Sequence, residues 1–486
     1  MRRFLVVLLA IGVASSAMGA TITVKKDGSA DIDSVALALA TISNGDTIII
    51  ADSATYEEDL TAGALPGFAA SFTLKAADGQ TPVIQAVNGL ARLEALGIPG
   101  TDYMGALFFG CQGVLIEGIT FQNLDVSANL AGISGVLTLM DSSDITVRNC
   151  TIRAAGAEAG YPADNVNLIL AGVTMPPTGI VVEDCISEDG NYGLAVAKLL
   201  GGTPTDPSTI VRNCIFRNLE ETGIEVDSGA PLESPDPNTI AAGQGNLFEN
   251  CTVINANTGI QLGGGYNVIR NCEVLGCREH GFDVDLDGDR GTQPITGIVE
   301  DSVFIGCAGD GVRIDEGIVS LTNCIVAGSS SEGIHLQNSD NLTTVTVDQC
   351  DIYHNLQESD YFEVRVDVGG TDLVQLKISN SNVITEMGGG ILNGSVDDFT
   401  YFDEEGLFAS YCNVISTDER YVNVVVDNDL QVAPAYVSPS IDPDAFTREG
   451  FRLPAGSSLL TAGKDGTYIG SQGSGEPVGV KDWSIY

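Results

Sequence analysis

The stretch VRNCIFRNLEETGIEV at residues 211–226 recurs as IRNCEVLGCREHGFDV at 269–284 and as LTNCIVAGSSSEGIHL at 321–336. In each copy an Asn-Cys pair follows an alternating segment, and a Gly-apolar-polar-apolar segment ends the copy. The cysteine position is Cys or Ser after Asn, Asp or Gln at residues 150, 185, 214, 251, 272, 302, 324, 350 and 381. The shortest intervals are 272 − 251 = 21 and 324 − 302 = 22 residues, and the longest is 251 − 214 = 37.

This alternation has a period of two and predicts short β-strands, which cannot bury a face on their own. Each repeat contains three such strands: one before the Asn, one that begins at the Cys, and the Gly-apolar-polar-apolar segment. Stacking one repeat on the next buries a continuous apolar column. Insertions such as APLESPDPNTIAAGQGN (230–246) fall between strands. The sequence therefore predicts an all-β fold, a parallel β-solenoid.

Stacked coils lie about 4.8 Å apart, so that equivalent residues lie above one another. The recurring asparagines are then expected to form a ladder of side-chain amides in a tight turn. This ladder comprises Asn149, Asn213, Asn250, Asn271, Asn323 and Asn380.

The repeats resemble the right-handed parallel β-helix of the pectin lyase-like superfamily over residues 105–415. Residues 21–104 are similar to its N-terminal cap and first coils: a short helix at about 33–43 would plug the column before GDTIII begins the first coil. Residues 416–486, with DPDAFTREGFRLPAGSSLLTAGKDGTYIG, are similar to the closing segment of secreted bacterial β-helix proteins. The resemblance identifies a fold that carries many activities.

Residues 1–20 have the features of a secretory signal peptide: a basic start (MRR), a short apolar run and small residues at the end. Without Arg2 and Arg3 the balance of charges is 20 − 65 = −45. Such a negative surface disfavours nucleic acid and anionic membranes as partners. We therefore predict a secreted, extracellular or periplasmic protein that does not insert into a membrane.

The 11 cysteines would ordinarily suggest disulfides in an exported chain. Seven of them occupy the stacked inward position, where parallel Cβ directions disfavour a bridge. We interpret these as a buried thiol stack. Cys277 and Cys307 lie five residues beyond the stacked position and are the candidates for a bridge between coils.

If Ile224 and Val226 point into the column, the residues between and after them point outward. The same rule in every coil predicts two outward rows and a border on the turn side. The first row is Ala195, Glu225, Gln261, Asp283, Arg313, His335 and Glu363. The second row is Ala197, Asp227, Gly263, Asp285, Asp315, Gln337 and Arg365. The border is Tyr192, Thr222, Thr258, His280, Asp310 and Glu332.

A face rich in carboxylates is suited to glycosidic-bond cleavage, in which an acid protonates the leaving oxygen while a second carboxylate activates water. Asp283 and Asp315 are expected about 8 Å apart, within the inverting range. Asp285 and Asp315 would lie near enough to share a proton. The predicted catalytic residues are Asp283, Asp285 and Asp315, with Asp227 and His335 in support. The predicted substrate-binding residues are Glu225, Gln261, Arg313, Arg365, Tyr192 and His280.

The string DVDLDGD at 283–289 matches the first half of a calcium loop, in which alternate carboxylates converge on a hard cation. The Glu that an EF-hand requires at its twelfth position is replaced by Pro294. This excludes an EF-hand. A calcium site formed by Asp285, Asp287 and Asp289 stays open.

Motifs of two enzyme families with this fold are absent. The polygalacturonase signatures Asn-Thr-Asp and Gly-His-Gly do not occur, nor do the Gln-Asp-Thr and Gly-Arg-Pro-Trp motifs of pectin methylesterases. The sequence leaves a glycoside hydrolase-like enzyme as the first hypothesis and a polysaccharide lyase as the second. The alternatives are a non-catalytic glycan- or calcium-binding envelope or adhesive module, and a plain solvated face.

Overall fold

The computed structural model describes residues 19–63, 71–87, 103–123, 133–154, 164–172, 177–198, 208–227, 245–285, 295–337, 343–356, 362–367, 374–385, 388–393, 407–416, 419–422 and 424–471. Within these ranges the chain forms three parallel sheets of 15, 13 and 13 strands. Each coil contributes one strand to each sheet in turn. The predicted parallel β-helix is confirmed.

The first sheet contains the strand that precedes the Asn turn of each coil. Its strands are β1 (Thr21–Val24), β2 (Asp46–Ile50), β5 (Phe72–Ala76), β8 (Gln112–Glu117), β11 (Ser143–Arg148), β14 (Thr178–Glu183), β17 (Ser208–Arg212), β20 (Gly245–Glu249), β23 (Tyr266–Arg270), β26 (Thr296–Glu300), β29 (Gly317–Thr322), β32 (Thr343–Asp348), β35 (Val374–Ser379), β38 (Leu407–Ser410) and β41 (Val425–Asp427).

The second sheet contains the strand that follows the Cys position. Its strands are β3 (Thr55–Glu57), β6 (Val83–Gln85), β9 (Thr120–Asn123), β12 (Thr151–Ala154), β15 (Ile186–Glu188), β18 (Ile215–Arg217), β21 (Thr252–Ile254), β24 (Glu273–Leu275), β27 (Val303–Ile305), β30 (Ile325–Ala327), β33 (Asp351–Tyr353), β36 (Asn382–Ile384) and β39 (Asn413–Ile415).

The third sheet contains the Gly-apolar-polar-apolar strand. Its strands are β4 (Leu60–Gly63), β7 (Tyr103–Phe109), β10 (Ile133–Met140), β13 (Asp164–Gly172), β16 (Tyr192–Lys198), β19 (Thr222–Val226), β22 (Thr258–Leu262), β25 (Phe282–Val284), β28 (Val312–Ile314), β31 (Ile334–Leu336), β34 (Phe362–Val366), β37 (Gly389–Asn393) and β40 (Tyr421–Val422).

The turn between the first and second sheets explains the repeated asparagine. Asn213, Asn250 and Asn271 have φ of 54°, 54° and 52°, in the left-handed region that Asn tolerates better than most residues. Their side chains form part of the expected ladder: Asn271 Nδ2 donates to Asn250 Oδ1 (2.6 Å), and Asn250 Nδ2 donates to Asn213 Oδ1 (3.2 Å). Asn323 and Asn380 instead donate to the carboxylates of Asp301 and Asp348. The ladder continues to Asp184 Oδ1, which accepts from Asn213 Nδ2 at 3.1 Å.

The cysteine after this turn points into the column. All 11 cysteines are buried and have free thiols. Cys214 Sγ and Cys251 Sγ lie 3.7 and 3.5 Å from carbonyl oxygens of the preceding coil, to which the thiols donate. The buried thiol stack is thus present, and no disulfide joins Cys277 to Cys307.

Alternating charges mark the last position of the first-sheet strands. The residues paired from coil to coil are Glu117, Arg148, Glu183, Arg212, Glu249, Arg270 and Glu300. Arg148 Nε donates to Glu117 (2.9 Å), and Arg212 Nε donates to Glu183 (2.9 Å). If a strand paired with the next coil but one, two glutamates or two arginines would lie side by side. The alternation of charges therefore favours the observed pairing of coils.

The helix α1 (Val35–Thr41) caps the N-terminal end, as the sequence predicts. Its N-cap Ser34 accepts a hydrogen bond from the amide of Leu37 (3.1 Å), and its buried residues are Val35, Ala38 and Leu39. These apolar side chains join the hydrophobic column. None of the described helices is long and apolar enough to cross a membrane.

The C-terminal segment runs back along the outside of the second sheet after β40 and β41 complete the last coils. It contains three 3-10 turns, Arg448–Phe451, Ser458–Leu460 and Lys464–Gly466. Phe451 packs on the outward side chains of β27 and β30, and Arg448 Nε donates to Glu273 at 3.2 Å. The segment thereby covers apolar side chains that this sheet turns away from the column.

Candidate functional site

The predicted outward rows lie on the outer face of the third sheet, on the strands β16 to β34. Backbone pairing places the first row in the order Ala195, Glu225, Gln261, Asp283, Arg313, His335 and Arg365. The second row follows at the strand ends, with Asp227, Gly263, Asp285, Asp315, Gln337 and Asp367 each bonding to the preceding coil through the backbone amide. The prediction is confirmed for six coils.

The seventh coil corrects two predicted positions. His335 pairs with Arg365 and not with Glu363, and the place beside Gln337 belongs to Asp367. Glu363 is fully buried and occupies the position that glycine holds in the neighbouring coils. The predicted positions are wrong in this coil because it lacks the glycine that marks the start of the third-sheet strand in the neighbouring coils.

Asp283 is one of the buried carboxyl groups of the site, with Asp310 and Glu332. Its residue is 5% exposed, and its Oδ1 atom accepts no hydrogen bond from the described residues. Oδ2 lies 3.5 Å from the amide nitrogen of Gln261, at the limit of a hydrogen bond. Burial raises the pKa of Asp283 to about 7, although the nearby Arg313 opposes this. Asp283 therefore exchanges its proton near neutral pH.

Arg313 connects the central side chains of the face. Its Nε and Nη2 atoms donate to the two carboxylate oxygens of Asp315 at 3.1 and 2.8 Å. Nη2 also donates to Gln337 Oε1 (3.2 Å), and Nη1 lies 3.3 Å from Nε2 of His280. Burial lowers the pKa of Arg313, but the bonds to Asp315 outweigh it and leave the pKa above its usual value. Arg313 thus stays charged and fixes Asp315.

His335 lies between two carboxylates in the next coil. Its Nδ1 is 3.2 Å from Asp310 Oδ2, and its Nε2 is 3.3 Å from Asp367 Oδ2. Burial lowers the pKa of His335, but both carboxylates raise it, and the result is about 9. Burial raises the pKa of Asp310, yet the bond with His335 lowers it to about 2.

Arg365 holds the acidic residues around His335. Its Nη1 donates to Glu332 Oε1 (2.9 Å), and its Nη2 lies 2.8 Å from Asp367 Oδ2. Glu332 is 2% exposed, and burial raises its pKa. The amide of Glu332 donates to Asp310 Oδ1 at 3.1 Å, so the backbone also fixes Asp310.

The remaining predicted residues flank this centre. Glu225, Asp227 and Asp285 are half-buried on the same face. Tyr192 packs at one end, against the apolar cluster that contains Ala195. The predicted calcium ligands Asp287 and Asp289 lie outside the described residues. The structure adds Asp367 to the site. It brings Asp310 from the predicted border into contact with His335, and a ligand atom of Glu332 lies within 4.8 Å of both.

The match to known sequences concerns the repeats. Residues 209–352 match a family model described as right handed beta helix region. With three parallel sheets wound in one column, this settles the fold. The chain forms a right-handed parallel β-helix. No curated protein sequence matches the chain.

Solved structures with a similar β-helix have low sequence identity to this chain. The catalytic unit of a thermostable GH87 alpha-1,3-glucanase from Streptomyces thermodiastaticus has 12% identity and a TM-score of 0.49, covering 82% of this chain. The match covers 65% of that glucanase chain, so this chain spans about two thirds of its length. The receptor binding domain of the Siphovirus 9NA tailspike has 11% identity and a TM-score of 0.47, covering 86% of this chain and 78% of the tailspike domain. The A-module of a mannuronan C-5 epimerase from Azotobacter vinelandii has 14% identity and a TM-score of 0.43, covering 80% and 91%.

Proposed function

We propose that this protein is a secreted enzyme that cleaves an extracellular polysaccharide on the outer face of the third sheet, in the manner of a glycoside hydrolase. The observation that carries the proposal is the environment of Asp283. This carboxyl group is buried, has a pKa of about 7 and lies one coil from the Arg313–Asp315 pair. A protonated carboxyl group beside an ionised one is the combination that glycosidic cleavage requires.

In this mechanism Asp283 donates its proton to the leaving glycosidic oxygen. Asp315 is one coil and two residues further on, so the two carboxyl groups are about 8 Å apart by strand geometry. That separation leaves room for a water molecule and fits inversion at the anomeric carbon. Arg313 orients the carboxylate of Asp315 through two hydrogen bonds, and Asp285 lies beside it at the strand end.

A polysaccharide would lie across successive coils, because the polar outward residues continue along the stack. Glu225 and Gln261 would bind sugar hydroxyls on one side of Asp283, with Asp227 at the edge. His280, His335 and Arg365 would bind on the other side. Tyr192 is the aromatic residue among these predicted contacts and would stack on a sugar ring at the end of the face.

A lyase ranks second, because such an enzyme needs a basic residue that can lose its proton. The pKa of Arg313 is raised, and Arg365 is bonded to Glu332 and Asp367 with its pKa raised as well. In Arg365 burial acts in the opposite direction and is outweighed by these carboxylates. Both guanidinium groups are therefore poor bases.

A non-catalytic glycan- or calcium-binding envelope or adhesive module is favoured by one observation. Arg313, Arg365 and His335 bond directly to carboxylates of the face, as they would in a purely structural network. A calcium ion bound by Asp285, Asp287 and Asp289 would belong to this alternative or to a lyase. The proposal of secretion is supported by the signal-peptide features of residues 1–20, which favour a location outside the cell or in the periplasm.

The test is to incubate the full mature chain with neutral and uronic polysaccharides, with and without calcium. New reducing ends alone indicate a hydrolase, and new ultraviolet absorbance from unsaturated ends indicates a lyase. Asp283→Asn should lower hydrolysis by about 100-fold or more, because general acid catalysis is lost. Asp78→Asn, in an exposed turn, is the matched control.

Cleavage that survives in both Asp283→Asn and Asp315→Asn would exclude the proposed catalytic pair. Glycan binding without any cleavage would support the module instead. Loss of activity in Asp78→Asn as well would indicate a general effect of the substitution and not a catalytic role.

A further inference from the structure

The residues around His335 form a compact group of potential metal ligands. Asp310, Glu332 and His335 each offer a ligand atom, and these three atoms lie within 4.8 Å of one another. The residues are 4%, 2% and 7% exposed, respectively. Ligand atoms on one zinc ion are about 3–3.5 Å apart, given metal–ligand distances near 2 Å. Small side-chain movements would therefore bring the three atoms onto one ion.

The imidazole of His335 is oriented from its other side. Nε2 faces Asp367 Oδ2 at 3.3 Å, an arrangement in which Nε2–H donates to the carboxylate. A carboxylate at the outer nitrogen is the usual partner of a metal-bound histidine. Nδ1 lies 3.2 Å from Asp310 Oδ2, and in the absence of a metal a second proton on the ring occupies this gap, in line with the raised pKa of His335. A metal ion would displace that proton and bind both atoms.

The net charge of the group also favours a bound cation. Asp310, Glu332 and Asp367 supply three carboxylates, and Arg365 supplies one guanidinium. Without a metal, the proton on His335 gives a sum of −3 + 1 + 1 = −1. With a neutral imidazole and a divalent ion in place of that proton, the sum is −3 + 1 + 2 = 0, so the ion would balance the buried charge.

We propose that Asp310, Glu332 and His335 bind one divalent transition-metal ion, with zinc as the model ion. One nitrogen and two carboxylate oxygens form a mixed donor set, whereas calcium prefers oxygen ligands alone and more of them. Three protein ligands leave a fourth position for water or a substrate oxygen, as in catalytic zinc sites. The site is distinct from Asp285, Asp287 and Asp289, and it does not depend on the proposed polysaccharide cleavage.

The first measurement is metal binding to the whole folded protein after chelator treatment and removal of the chelator. Titration with ZnCl₂ should show one tight equivalent per chain, and elemental analysis after dialysis should give the same stoichiometry. CaCl₂ at the same concentration should not compete. Titration with CoCl₂ should give visible absorption without a thiolate charge-transfer band, which excludes the 11 cysteines as ligands.

The variants assign the ligands. His335→Gln or Glu332→Gln should weaken zinc binding by about 100-fold or more, and Asp367→Asn by about 10- to 100-fold through the orientation of the ring. The matched control is His354→Gln, which removes the histidine that stacks on Tyr353 and lies outside this group. It should bind zinc as the unaltered protein does.

Several results would overturn the proposal. These are no zinc binding by the folded protein, unchanged binding in both His335→Gln and Glu332→Gln, a thiolate band with cobalt, or equal competition by calcium. Circular dichroism of each variant establishes that it is folded. Should His335→Gln fail to fold, Glu332→Gln together with the cobalt spectrum decides the question.

Discussion

Glu363 offers a sharp test of the structure, because its carboxyl group is fully buried in the β-helix. The neighbouring coils have glycine at this position: Gly193, Gly223, Gly259, Gly281, Gly311, Gly333 and Gly390. One oxygen of Glu363 accepts a hydrogen bond from Asn355 Nδ2 at 2.8 Å. Burial raises the pKa of Glu363 to about 8 from its ordinary 4.5, although the Asn355 bonds oppose the rise.

The substitution Glu363→Gln removes the ionisable group and keeps an oxygen for Asn355. In the folded protein Glu363 stays protonated up to about pH 8, whereas in the unfolded chain it ionises above 4.5. Unfolding therefore releases a proton between these values, and the free energy of unfolding falls as the pH rises. At 1.36 kcal/mol per pH unit, Glu363 lowers stability by about 3 kcal/mol at pH 7 and about 5 kcal/mol above pH 8.

The assay is urea unfolding followed by circular dichroism from pH 4 to pH 8.5. The variant and the unaltered protein should have similar stability at pH 4, and the variant should become progressively more stable as the pH rises. Glu57→Gln, at an exposed residue of β3, controls for the loss of one negative charge. A stability difference that stays constant across this pH range would refute the burial of an ionisable Glu363.

Three further predictions concern the turn, the charge ladder and the proposed acid. Asn250→Ala should destabilise the protein by about 1–2 kcal/mol, because alanine is strained at positive φ. Asn250→Gly should destabilise it less, and equal melting temperatures of the two variants would contradict the turn geometry. Arg212→Glu places a third acid between Glu183 and Glu249, so the free energy of unfolding should fall by about 1 kcal/mol at low salt and by less at 1 M salt. A loss of stability that does not depend on salt would contradict an electrostatic cause. Hydrolysis, if detected, should fall as the pH rises through about 7, where Asp283 loses the proton that it must donate; a rate that keeps rising above pH 8 would exclude this role.

The repeats made the fold predictable from the sequence. A solenoid coil contacts only its neighbours, so the spacing of Asn-Cys and the period-two alternation determine both strands and register. The outward row from Ala195 to His335 followed from these alone. It failed at Glu363, where no glycine marks the beginning of the strand.

Other features depend on information that a local pattern lacks. The sequence predicts Asp310 and Glu332 at the border of the face, yet the bond of Asp310 to His335 and the approach of Glu332 to within 4.8 Å depend on side-chain rotamers in the turns. The path of the C-terminal segment back over β27 and β30 is set by long-range apolar packing around Phe451 and not by any repeat. Sequence periodicity therefore predicts where the face lies, whereas the hydrogen bonds within the face depend on the three-dimensional arrangement of its side chains.

The position of the candidate site along the β-helix follows from a change in the third sheet. On β7, β10 and β13 the outward positions are buried and mostly apolar, with Leu107, Met140 and Ile169 in one cluster that reaches Ala195. Thr138, between Leu107 and Ile169, is a buried polar exception. From Glu225 onward the same row becomes polar or charged. A hydrated glycan gains little at a covered apolar surface, because its hydroxyl groups would lose bonds to water. We therefore expect a bound polysaccharide to begin near Glu225 and extend toward Arg365, across Asp283 and the His335 group.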